Sequence, residues 1–306
     1  MSDPLVECVP NFSEGTDARR VEAIVASMCV EGVRLLDWSM DEAHNRSVVT
    51  IAGPPAAVVE AAIRGAGKAI DLIDLTRQQG VHPRIGAADV IPFVPISGIK
   101  LEQCALLARQ AGLEIWRRFG VPVFFYEAAA ARPDRANLED VRHGQFEGLK
   151  EAVRKESARR PDLGGPGLHP TAGACAVGAR KFLVAYNIYF DSTDVAMVRA
   201  IAREIRAASG GLKGVKAMGM LARGRAQLSM NLTDFEVTPI SQVYRAVSEL
   251  ALRHKAALVE GEVIGLIPEA ACERQSEWMR QLVGFDAQTK ILERRLQAPL
   301  AWPGER

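Results

Sequence analysis

The chain has 306 residues with the composition of a globular protein and a formal net charge of +1. At about 100 to 200 residues per domain, this length predicts two domains, each able to bury its own core. The charge balance excludes a global field that would draw nucleic acid or an anionic membrane, so an anionic ligand has to be met by local arginines.

Residues 1–7 lack the basic start and apolar run of a signal peptide, and no later stretch is long and apolar enough for a membrane span. A cytoplasmic location is expected. The five cysteines, Cys8, Cys29, Cys104, Cys175 and Cys272, are scattered with no CxxC pair. They predict small buried hydrophobes in a reducing compartment rather than a disulfide framework or a zinc site.

Residues 5–10 read as a buried strand that delivers Asn11, Phe12, Ser13, Glu14 and Gly15 into a turn. Val21, Ile24, Val25 and Met28 recur at helical spacing and predict a helix over about 17–30. Residues 33–37 and 47–52 are strand-like, joined by the polar connection 41–46, and Gly53-Pro54 stops the second strand. Val59, Ile63, Ala66, Ile70 and Ile73 mark a second helix, which runs into the segment 80–89. A strand over 90–96 follows, and Pro92 and Pro95 predict an edge or irregular path for it. Cys104, Leu107, Ala108, Ala111 and Ile115 mark a third helix, residues 121–126 another strand, and 137–156 a charged, helical surface connection. The glycine- and proline-rich stretch 160–173 reads as a linker or a binding loop near a domain boundary.

The second half is more regular. A strand over 182–188 is followed by a helix marked by Val195, Val198, Ala202 and Ile205. Strands 215–221 and 226–232 form a hairpin around Arg223-Gly224-Arg225, a helix carries Ile240, Val243, Tyr244, Val247 and Ala251, and a strand covers 259–267. The order β, α, β, β, α, β is that of a ferredoxin-like unit, and the first half opens in the same order. The fold class expected is α/β (α+β), with two ferredoxin-like subdomains over 1–177 and 178–306, the second ending in a helical tail.

The segment 80–89 holds His82, Arg84 and Asp89 within eight residues. An imidazole with a pKa of about 6.5 suits proton transfer near neutrality, whereas a loop histidine can also simply bond its own backbone. Asn11 and Glu14 of the first loop and Asn45 and Arg46 at a strand entry can hold a ligand that has amide and carboxylate groups, or serve turn chemistry alone. The loop of Leu163, Gly164, Gly165, Pro166, Gly167, Leu168, His169, Pro170, Thr171 and Ala172 lets backbone approach a flat ligand, or is a plain linker. Gln227, Ser229, Asn231 and Thr233 give one strand a polar, uncharged face that lines a cleft or meets water. His44, His82 and His169 match no known metal-ligand spacing, so no metal is expected.

Five segments in order resemble the glutamate formimidoyltransferase family: 6–15 (VECVPNFSEG), 45–48 (NRSV), 82–87 (HPRIGA), 178–183 (GARKFL) and 229–234 (SMNLTD). The resemblance covers nearly all of residues 4–270 and implies a ligand groove between two subdomains, a homodimer, and a transferase without the cyclodeaminase domain of the mammalian members. It implies transfer of the formimino group from N-formimidoyl-L-glutamate to N5 of tetrahydrofolate, a co-substrate, with His82 catalytic and the loop Leu163–Ala172 at the folate. Arg46, Arg84 and Arg180 are then candidates for the substrate carboxylates. Val81 stands where mammalian members carry an acidic residue and Gln78-Gln79 where they carry histidines, which leaves Glu14 or Asp89 to orient His82. Two other readings stay open: a related folate transferase using another donor such as 5-formyltetrahydrofolate, and a folate-binding protein without turnover.

Overall fold

A computed structural model describes residues 3–42, 44–80, 83–273 and 276–304. The chain divides into two compact units, Met1–Arg180 with Pro299–Arg306, and Lys181–Ala298. The division falls just past residue 177, and the stretch 160–173, expected near a boundary, lies inside the first unit.

In the first unit β1 (Leu5–Cys8) and β2 (Asn11–Phe12) form one interrupted strand, followed by α1 (Ala18–Ser27), β3 (Arg34–Asp41), β4 (Arg46–Gly53), α2 (Pro55–Leu72) and β5 (Ala88–Ser97). The Asp17 side chain starts α1 by accepting the Arg19 and Arg20 N–H groups, and Val21, Ile24 and Val25 give the helix its buried stripe. β3 pairs with β4, β4 with β1 and β2, and both of these with β5, all antiparallel. This is the order 2-3-1-4 of a ferredoxin-like unit. It is extended by α3 (Leu101–Phe119), β6 (Val123–Glu127), α4 (Leu138–Val141), α5 (Gln145–Lys155) and β7 (Cys175–Ala179). β7 inserts between β5 and β6, parallel to both.

β5 is therefore interior, not an edge. The Pro92 carbonyl accepts the Val9 N–H (3.2 Å), so the N–H that Pro92 lacks would face the break at Val9-Pro10 between β1 and β2. Pro95 lies beyond the last β7 pairing, which ends at Phe93.

Both faces of the sheet are covered in the β5-β7-β6 region. Val123 and Phe125 join the core under α1, α2 and α3, whereas Phe124 and Tyr126 pack with Val141, Leu149 and Val153 of α4 and α5. The alternation along one strand places α4 and α5 on the opposite face from the other three helices. Burying each of Leu149 and Val153 contributes about 1.5–3 kcal/mol. The connection expected on the surface is thus a packed part of the first unit.

The second unit runs β8 (Val184–Phe190), α6 (Val195–Ile205), β9 (Val215–Ala222), β10 (Arg225–Leu232), α7 (Ile240–Arg253) and β11 (Leu258–Ile264). Its antiparallel sheet has the order β11-β8-β10-β9, the ferredoxin-like arrangement. The β9–β10 turn uses Arg223 (φ 50°) and Gly224 (φ 72°), the two positive-φ positions of a tight hairpin. Three short helices follow, α8 (Glu277–Arg280), α9 (Ala287–Lys290) and α10 (Leu292–Gln297). Trp278 of α8 is fully buried, edge-on to Tyr186 at 5.6 Å. Cys8, Cys104 and Cys175 are buried as expected, but Cys29, in the turn after α1, is exposed.

Candidate active site

The end of β2, the β3–β4 turn, the segment after α2 and the start of β5 converge in the first unit. Phe12, Ser13, His44, Asn45, Arg46, Gln78, Arg84 and Asp89 line a small pocket there. Asn45 organises it from a left-handed conformation (φ 47°), which its short polar side chain tolerates. Its Oδ1 accepts the Gly15 N–H (2.9 Å) and its Nδ2 donates to the Gln79 carbonyl (2.7 Å). Its carbonyl accepts from Gln78 Nε2 at 2.9 Å. Gly80 stands so close that an added Cβ would lie 2.5 Å from the His44 carbonyl oxygen. His44 Nδ1 lies 2.8 Å from Asp41 Oδ2.

Val81 and His82 lie outside the described residues. The chain around them is well tied: Gly80 packs on Asn45, and Arg84 is buried at 7% exposure. Arg84 Nε donates to Gln78 Oε1 (2.7 Å), Nη2 to the Gln78 carbonyl (3.1 Å), and Nη1 and Nη2 to the two Glu147 oxygens (2.9 and 2.8 Å). Four of its five N–H groups are thus committed within the protein. Asp89, 2% exposed, accepts the Ile85 N–H on Oδ1 (2.7 Å) and pairs with Arg142 through Oδ2.

Arg46 is half-buried. Burial and the charge of Arg142 push its guanidinium down to about 10, against the opposing pull of Asp89 and Asp41. It is still charged at neutral pH, in surroundings where a ligand carboxylate relieves the cost.

The remaining sequence candidates stand outside the pocket lining. Asn11 bonds its side chain to the Val9 carbonyl (2.8 Å). Glu14 takes the Thr16 N–H (2.9 Å), the Thr16 hydroxyl (2.8 Å) and the Asp17 N–H (3.0 Å) on one oxygen, and Arg20 Nη1 (3.2 Å) on the other. Burial pushes this carboxyl up, but those hydrogen bonds together hold it below the usual range. Arg180 follows β7, with its N–H on the Phe93 carbonyl at 3.0 Å.

The loop 163–172 belongs to the first unit and is tied at both ends. The Leu163 carbonyl takes the Val123 N–H at 3.0 Å, and an added Cβ on Gly164 would lie 2.5 Å from the Trp116 ring. At the far end, Ala87 N–H donates to the Ala172 carbonyl (2.9 Å) and Ala174 N–H to the Ile85 carbonyl (2.9 Å). That places the end of the loop beside 85–87, one short step from the pocket residue Asp89. His169 Nδ1 accepts the Ala172 N–H at 3.0 Å, and burial lowers the imidazole pKa. This histidine is neutral and shapes the loop from within.

Among the described residues, no group of three or more His, Cys, Asp and Glu side chains could hold a metal ion, and no helix is long and apolar enough to cross a membrane. Sequence reasoning missed Glu147 and Arg142 as neighbours of this site. Their partners lie 63 and 53 residues away, and the 138–155 stretch carries no local signal beyond mixed charge.

Residues 5–180 match the model of the formiminotransferase domain, N-terminal subdomain, and residues 185–293 that of the formiminotransferase domain. The chain belongs to the formiminotransferase family. It is 44% identical to a glutamate formimidoyltransferase of Thermoplasma acidophilum, over 96% of this chain and 97% of that one. It is 42% identical to a glutamate formimidoyltransferase of Streptococcus pyogenes, over 95% and 98%. A formimidoyltransferase-cyclodeaminase of Gallus gallus is 40% identical over 87% of this chain and 51% of the larger protein. The pocket and the tied loop both lie within the stretch matched by the N-terminal subdomain of the formiminotransferase domain.

Proposed function

We infer that this chain transfers the formimino group of N-formimidoyl-L-glutamate to N5 of tetrahydrofolate, giving 5-formimidoyltetrahydrofolate and L-glutamate. The observation that carries the reading is the pocket. Asn45, Arg46 and Asp89 meet there beside the described flanks of His82, in a chain whose full-length relatives are named for this transfer.

The donor carries an amidine, which is electrophilic at carbon when protonated. N5 attacks that carbon, the N5–C bond forms, and His82 takes the proton that N5 sheds. The tetrahedral intermediate carries three nitrogens. His82 returns the proton to the glutamate nitrogen, the C–N bond to glutamate breaks, and the amidine re-forms on N5. One imidazole serving as base and then as acid contributes about 10² to 10⁴ in rate. The remainder comes from holding two substrates in contact. Arg46 supplies a planar guanidinium for a glutamyl carboxylate, and the loop 163–172, with its backbone groups and small residues, offers a wall for the flat folate.

The test is an assay of the purified protein with N-formimidoyl-L-glutamate and tetrahydrofolate, run beside 5-formyltetrahydrofolate with glutamate. Product from the formimidoyl donor supports the reading. Turnover with the formyl donor alone, or folate binding without any product, overturns it.

A further inference from the structure

The end of α4 and the first turn of α5 grip the strand-entry segment 84–89 in three places. Phe146 N–H donates to the Arg84 carbonyl at 2.9 Å. Glu147 takes the Arg84 guanidinium on both oxygens, at 2.9 and 2.8 Å. Arg142 holds Asp89, whose other oxygen accepts the Ile85 N–H at 2.7 Å. One ion pair and a backbone bond thus fall on Arg84, and the second ion pair reaches Ile85 through Asp89; Arg84 and Ile85 follow directly on His82-Pro83 in the sequence.

The chemistry of the grip is unusual for a packing contact. Asp89 is 2% exposed and the Arg142 side chain 14%, so that pair is largely withdrawn from water. Apolar side chains of similar volume would pack there at no such desolvation cost. A two-point carboxylate–guanidinium contact fixes distance and orientation together, which a van der Waals contact does not. Both arginines also bear on the pocket: Arg84 lines it, and the Arg142 charge reaches Arg46.

We propose that Arg142 and Glu147 form a positioning bracket of the transfer reaction, fixing Arg84 and Ile85, two and three residues beyond His82 in the sequence. This rests on the formimino-transfer reading for its kinetic consequence. Glu147 contacts the bracketed segment through Arg84 and stands outside the pocket lining. Its effect on the reaction passes through the position of 84–85. Misplacing a catalytic group by about 1 Å costs roughly 10²-fold in rate, so a loosened bracket is felt in kcat even where the pocket is otherwise whole.

The test uses Glu147→Gln in the full chain, because the Glu147 side chain is 63% exposed and the substitution keeps its size. Two readouts are taken: steady-state kinetics with N-formimidoyl-L-glutamate and tetrahydrofolate, and hydrogen exchange of the Ile85 amide. We expect kcat to fall about 10- to 100-fold with KM for the donor unchanged, and Ile85 exchange to speed up at an unaltered thermal midpoint. In a His82→Ala background the same substitution should leave the residual rate unchanged. Glu147→Asp, which retains the charge, should recover part of kcat. Unaltered kcat and Ile85 exchange, or an equal fall in both backgrounds, overturns the proposal. Should the wild type give no product from this donor, the transfer reading fails, and the Ile85 exchange alone then decides whether the bracket holds its segment.

Discussion

Replacing Asp89 by Asn isolates the charge in the most buried ion pair of the site. The amide oxygen still accepts the Ile85 N–H, so the bond seen at 2.7 Å has a substitute acceptor. What is lost is the partner of Arg142, whose side chain is only 14% exposed, and the new NH₂ group presents a donor to a donor. Removing one member of a buried pair typically costs about 3–5 kcal/mol, because the other charge remains desolvated. The residual exposure of Arg142 puts this case near the lower end, about 3 kcal/mol. By contrast, an ion pair as open as Glu147–Arg84 is worth at most about 1 kcal/mol in stability. Since domains are stable by about 5–15 kcal/mol, the Asp89→Asn protein should still fold. Urea denaturation followed by circular dichroism, with Arg142→Met and the double variant completing a cycle, measures the coupling. A loss below about 1 kcal/mol for Asp89→Asn, with no coupling to Arg142, would refute the reading of this pair as buried and coupled.

Glu14 sets an acid limit on stability. Its folded pKa is depressed, so its contribution is full above the unfolded value of about 4.3 and is lost as the pH falls through the folded one. The difference in thermal midpoint between wild type and Glu14→Gln should therefore be largest near neutrality and shrink below about pH 4. Gly173→Ala puts a Cβ 2.1 Å from the Ile85 carbonyl oxygen at a position with φ +70°, whereas Gly167 has nothing within 4 Å. The first substitution should destabilise by more than about 1–3 kcal/mol and the second should be nearly silent, as read by thermal melts. Arg46→Lys should raise KM for N-formimidoyl-L-glutamate about tenfold while kcat changes less, because a lysine cannot grip a carboxylate at two points. Equal KM values would remove Arg46 from the donor site.

Much of the fold is legible in the pattern of the sequence. The second unit is a plain case, since its helices repeat apolar residues at 3.6 and its hairpin pivots on Arg223-Gly224, both at positive φ. β5 is harder: its two prolines argue for an edge or an irregular path, and it takes an interior place with register shifts in its pairings to β1 and β2, opposite the interruption at Val9-Pro10. β7 is short and built of Cys175, Ala176, Val177, Gly178 and Ala179, all buried, so no alternation marks it. At the site, Asn45, Arg46, Arg84 and Asp89 stand together in a way that local motifs already suggested. Arg142 and Glu147 could not be found that way. They meet partners 53 and 63 residues distant, and their own stretch looks like any charged surface helix.

The proton-transfer role of the segment 80–89 is decided by His82→Ala, assayed for formimino transfer across pH 5–9 beside the wild type. The variant should lose about 10² to 10⁴ in kcat, together with whatever part of the pH profile the imidazole contributes, while its thermal midpoint holds. Undiminished turnover with the same pH profile would contradict the mechanism.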